Sequence, residues 1–134
     1  MKRALGIGMA LLVTLGAGWV WGASAGWATA RALRATELRA DLLGGRAAVL
    51  DARLDIYSVN FGEASRHFEA ARVALRSAAV RLQALDRQQD ASRVATALAR
   101  IDEAQQLAGQ LNQDANARAA EAAKTISEVL GPPR

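Results

Sequence analysis

The sequence predicts an all-α chain: one N-terminal hydrophobic helix, then a small antiparallel helical-hairpin or bundle domain. Three observations predict it. Residues 4–30 carry no charge. Apolar residues in the remainder recur at alternating steps of three and four. No window sustains the period-two alternation of a half-buried strand. The chain therefore divides into a signal-anchor or transmembrane helix at 1–30, a juxtamembrane helix with a Gly-Gly bend at 31–45, and an alanine-rich helical domain at 46–134.

The chain has 134 residues, room for one modest domain beside a targeting segment. All 13 acidic residues and 15 of the 17 basic ones lie from Arg31 onward, so that part has a net charge of +2. A near-neutral domain without a basic face argues against nucleic acid as a partner. There is no cysteine, which removes disulfides, thiolate metal sites and a cysteine nucleophile together.

Met1-Lys2-Arg3 is a short basic lead, followed by the apolar run from Ala4. Two features suggest a cleaved signal: Ala23-Ser24-Ala25 and Ala28-Thr29-Ala30 both have the small-x-small form of a cleavage site. Three favour a retained anchor. A helix over the uncharged run rises about 40 Å, against a hydrocarbon core of about 30 Å. Ala10, Thr14, Gly18, Gly22 and Gly26 recur every four residues and would form a shallow ridge against which another helix packs closely. Trp19, Trp21 and Trp27 stand toward the C-terminal end, where indoles suit the headgroup zone. No ionisable residue lies in the run, so it offers no proton relay and no haem or pigment ligand. Basic residues flank both ends: Lys2 and Arg3 on one side, Arg31, Arg34 and Arg39 on the other. The very short N-terminal tail favours a cytoplasmic N-terminus and an extracytoplasmic domain.

Beyond the run, Leu33, Leu38, Leu42 and Leu43 extend the helix to a bend at Gly44-Gly45. Val49, Leu50, Leu54 and Tyr57 mark the next helix, ending near Asn60. Asn60 with Glu63 is a capping-box pattern. Phe61, Ala64, Phe68, Ala71, Leu75, Ala78, Leu82 and Leu85 then form a heptad stripe. A polar stretch, Asp86 to Asp90, separates it from a second stripe: Val94, Ala97, Ile101, Ala104, Ala108 and Leu111. Asn112 to Asn116 is a candidate interruption. Ala119, Ala122, Ile126 and Val129 resume, and Gly131-Pro132-Pro133 ends the helix. The sequence leaves open whether residues 91–130 form one helix or two. Tyr57, Phe61 and Phe68, the aromatics of this part, are expected to cluster as dense core and as a possible protein contact.

Candidate chemistry is sparse. His67 is the only histidine and has no partners at ligand spacing. Asp51 and Asp55 share a helix face, but no glycine-containing calcium loop accompanies them. Arg72, Arg76 and Arg87 share another, interspersed with acidic residues. There is no phosphate-binding glycine loop, nucleophile elbow or Ser-His-Asp set. The expectation is a chain without catalytic residues, cofactor, metal or small-molecule substrate.

Residues 60–71, Asn-Phe-Gly-Glu-Ala-Ser-Arg-His-Phe-Glu-Ala-Ala, resemble the second helix of a tetratricopeptide repeat through Phe61, Ala64, Phe68 and Ala71. The resemblance covers about residues 52–75, with Ala52 as the small residue of the first helix. The closing proline is absent and no second copy follows, so it implies a single helical hairpin.

These readings converge on a single-pass protein of a bacterial inner membrane with a periplasmic helical domain. It would be a structural accessory subunit or scaffold of a larger membrane complex, such as a respiratory or photosynthetic one. Its partners would be membrane lipid and other transmembrane helices, or a second copy of itself. The alternatives are a periplasmic tetratricopeptide-like or self-associating adaptor, and a secreted helical protein after signal cleavage.

Overall fold

The computed structural model describes the backbone of residues 2–131 and the side chains of residues 27–131. It has four helices: α1 (Lys2–Tyr57), α2 (Phe61–Ala84), α3 (Gln88–Gly109) and α4 (Ala115–Leu130). No strand occurs among the described residues, and the all-α expectation holds. Residues 91–130 are thus two helices, broken where Asn112 to Asn116 interrupts the stripe.

The chain divides into two units, residues 1–35 and residues 36–134. In the first, Trp27 and Leu33 are exposed. The predicted span falls mainly on residues whose side chains lie outside those described. Among the described residues, no helix is long and apolar enough to cross a membrane.

The second unit is a four-helix bundle. Side-chain pairs join α1 to α2, α2 to α3, α3 to α4, and α4 back to α1. Each pairing runs antiparallel: Asp55 meets His67 while Asp41 meets Arg81. Likewise Arg53 meets Asn116 while Arg46 meets Ser127. The predicted stripes of α2, α3 and α4 form the core, from Phe61 to Leu82, Val94 to Ala108 and Ala119 to Val129. Each stripe's last predicted member before a turn, Leu85 and Leu111, is exposed instead, because the helix has already ended there.

α1 departs from the sequence reading in two ways. The helix runs through Gly44 and Gly45 without the expected bend. The physical reason lies in packing: a Cβ on Gly45 would stand 2.9 Å from both Cγ and Cδ2 of Leu75. Gly45 therefore lets α1 approach α2 rather than turning the chain. Second, α1 buries Leu38, Leu42, Val49, Ala52 and Ile56, while Leu54 and Tyr57 are exposed. The aromatic cluster thus divides. Phe68 is fully buried and Phe61 nearly so, whereas Tyr57 is 67% exposed.

The three turns share one hydrogen-bond pattern. The N–H groups of Asn60, Arg87 and Asn112 donate to the carbonyls of Asp55, Leu82 and Leu107. Those of Val59, Asp86 and Leu111 donate to Ile56, Gln83 and Ala108. This is the Schellman closure, which needs a left-handed residue and usually recruits glycine. Here Val59, Asp86 and Leu111 take it at φ 60°, 56° and 56°. The same closure explains why the predicted capping box is half made. Asn60 Oδ1 accepts the Glu63 N–H at 3.4 Å, but the Asn60 N–H is committed to Asp55. Glu63 turns to Arg66 instead.

Valine is the most strained of the three, because its branched Cβ crowds the left-handed region. The conformation costs an L residue about 1–2 kcal/mol, and glycine gives back part of that in unfolded-chain entropy. Val59→Gly is expected to stabilise the bundle by about 1 kcal/mol and raise Tm by about 4–8 °C. A lowered Tm in a thermal melt would contradict the strained turn.

Candidate docking face

The predicted ridge residues Ala10, Thr14, Gly18, Gly22 and Gly26, and Trp19 and Trp21, lie outside the described side chains. Trp27 is described and is 76% exposed. Of the predicted contact residues, only Tyr57 offers substantial surface, since Phe61 and Phe68 fill the core. The structure does not bring these three together as one surface.

Three of the polar candidates, His67, Asp55 and Arg72, link helices. His67 Nδ1 lies 2.7 Å from Asp55 Oδ2, a half-buried link between α2 and α1. Asp51 takes no part in it. Arg72 and Arg87 do not converge either. Arg72 Nη1 donates to Gln105 of α3, and its buried Nε lies 3.3 Å from Asp102 Oδ1 without a hydrogen bond of its own. Arg87 pairs with Asp90, an acidic residue placed where the α3 N-terminus favours negative charge.

Charged seams elsewhere do similar work. Arg81 bridges Glu37 and Asp41, and Ser77 Oγ also donates to Asp41 at 2.9 Å. Arg100, Glu103, Arg118 and Glu121 form a closed box between α3 and α4, with contacts from 2.9 to 3.5 Å. The Asp41 hydrogen bond holds Arg81 above the ordinary guanidinium value, against desolvation and helped by attraction to Glu37. Glu103 and then Glu121 do the same for Arg100. Such exposed pairs contribute little stability individually, but they favour one helix register over its neighbours.

No group of His, Asp and Glu among the described residues is placed to hold a metal ion. An open depression of about 510 Å³ is lined by Arg93, Lys124, Ser127, Glu128 and Gly131. It has opposed charges and no enclosing walls, so it gives no desolvated site for a substrate.

The outward surface of α1 is the unusual feature. On a bundle surface helix, the side opposite the core should be polar. The buried positions of α1 run Leu38, Leu42, Gly45, Val49, Ala52 and Ile56. One or two residues on, on average about 150° around the helix, a second apolar series runs in the same three-four rhythm. It comprises Ala40, Leu43, Ala47, Leu50, Leu54 and Tyr57. Leu50 is partly buried, and the other five are exposed. Leu43, Leu54 and Tyr57 leave 44%, 64% and 67% of their surface open. α3 shows Asp102, Glu103 and Gln106 outward, and α4 shows Glu121, Lys124 and Glu128. α2 shows Val73 and Val80, set among Arg66, Glu69 and Arg76. Only α1, among the described helix faces, carries leucines there in unbroken heptad order.

This face was partly legible. Leu50, Leu54 and Tyr57 mark a helix in the sequence together with Val49, and Tyr57 is expected there as a protein contact as well as core. The missed signal was that α1 has two apolar series where a one-sided helix needs one.

No family model matches the chain, and no curated protein or solved structure is significantly similar to it. The functional reading therefore rests on the residues alone.

Proposed function

We propose that the chain is a non-enzymatic structural module, tethered to a membrane by residues 4–30, that holds a larger assembly together through helix faces. The outward apolar series of α1 carries this reading. An apolar seam two and a half heptads long on a bundle surface is what a partner helix covers. The uncharged run, its four-residue ridge and the exposed indole of Trp27 support the tether. On this reading the membrane is a bacterial inner membrane and the bundle faces the periplasm.

Alkaline extraction, intact mass and native gels test the proposal. The full chain is expected to stay with membranes, retain residues 4–30 and migrate in an assembly larger than itself. Leu43→Glu combined with Leu54→Glu is expected to release it from that assembly with helicity unchanged, because both side chains are exposed. A mature start at Gly26 or Arg31 would remove the tether. An assembly indifferent to the double substitution would remove the docking face.

A further inference from the structure

We infer that the partner covering the outer face of α1 is α1 of a second copy of this chain, running parallel and in register. The inference rests on reading that face as a docking surface and names its occupant.

The flanks of the seam carry the argument. With Ala40, Ala47 and Leu54 as one line of knobs and Leu43, Leu50 and Tyr57 as the other, two edges border the contact. One edge holds Arg39, Arg46 and Arg53, spaced by seven. The opposite edge holds Glu37, Gly44, Asp51 and Ser58. Most arginines of the bundle meet a carboxylate, including Arg66, Arg72, Arg81, Arg87, Arg93, Arg100 and Arg118. Arg39, Arg46 and Arg53 meet none among the described residues, and Asp51 meets no cation. Arg46 and Arg53 use only Nε, toward Ser127 and Asn116, which leaves their outer nitrogens for another partner.

Orientation follows from the segregated charge. In a parallel pair, an edge residue faces the opposite edge of its partner about five residues further along, so Arg46 meets Asp51 of the second copy, twice by symmetry. In an antiparallel pair like edges meet, and three arginines would face three arginines. A parallel pair also leaves both chains entering their bundles from the same side. Ala40 and Ala47 keep the first part of one line small, which suits close approach, while Leu43, Leu50, Leu54 and Tyr57 supply the bulk of the seam. A seam this short gives weak pairing in dilute solution, so covalent trapping is the suitable readout.

Absence of native cysteine gives that experiment a clean background. Single substitutions Ala47→Cys and Leu54→Cys are introduced in the full-length chain in mild detergent, with Val73→Cys on α2 as an equally exposed control. Both seam variants are expected to form disulfide dimers about tenfold faster than the control, since knob positions of a parallel pair face their own counterparts. Arg46→Glu in the Leu54→Cys background should slow trapping, and adding Asp51→Arg should restore it. The restoration cannot arise through Ser127, which the double variant still leaves without its arginine. Seam variants no faster than Val73→Cys would overturn the inference. So would trapping only between Ala40→Cys and Tyr57→Cys chains, the antiparallel result, or a charge swap that fails to rescue. The two readings fail separately: an untrapped seam whose glutamates still dissolve a larger assembly removes self-pairing alone. Trapping that persists in a chain freed by alkali removes the tether alone.

Discussion

Phe68→Ala is expected to cost the bundle about 3–5 kcal/mol, a large part of the total stability of a domain this size. Phe68 is the largest fully buried side chain of the described residues, and much of the remaining core is alanine. Alanine side chains cannot lean into the space a lost ring leaves, so the cavity persists and its cost adds to the lost transfer energy. The variant should melt far below the parent, or fail to fold at growth temperature, in a circular-dichroism melt. Tyr57→Ala gives the contrast. Its ring is mostly exposed, and its loss should change stability by less than about 0.5 kcal/mol. Equal losses from the two would mean that Tyr57 is packed and that the division of the aromatics is wrong.

The adjacent glycines of α1 should respond in opposite directions. Gly44 has nothing within 4 Å of where a Cβ would stand. Gly44→Ala removes helix-breaking entropy at no steric cost and should stabilise by about 0.5–1 kcal/mol. Gly45→Val places atoms against Leu75 Cγ and Cδ2 at 2.9 Å. Leu75 is fully buried, so overpacking against it should cost about 1–3 kcal/mol beyond any propensity gained. Denaturant titration of the two variants reads the signs directly. Destabilisation by Gly44→Ala would restore the bend that the glycine pair suggests in the sequence.

Much of the bundle is legible in the sequence. Phe61 to Leu82, Val94 to Ala108 and Ala119 to Val129 were read as core positions, because a repeat of three and four places them on one helix face whatever that face meets. The stop at Gly131 was also visible, since Gly-Pro-Pro has a strong local preference, whereas the sequence left open whether the chain breaks near Asn112. The turns near Asn60 and at Asp86 to Asp90 were placed, but their backbone conformation was harder to read. Val59 and Leu111 adopt a backbone that glycine normally marks, and an apolar residue in a strained turn leaves no local signature. The docking face was harder still. Leu50, Leu54 and Tyr57 outweigh Val49, Ala52 and Ile56 in bulk, so hydrophobicity favours the wrong series.

By itself, then, the sequence determined that the chain is helical, where its faces lie and that its first thirty residues differ in kind from the rest. Tertiary structure alone decided which face of α1 is buried and which is left over. Spacing along a chain settles which residues share a side of a helix, because the helical pitch is local. Whether that side is buried depends on what packs against it. Leu75 of α2 lies 2.9 Å from where a Cβ on Gly45 would stand, so α2 takes the side of α1 that carries this glycine.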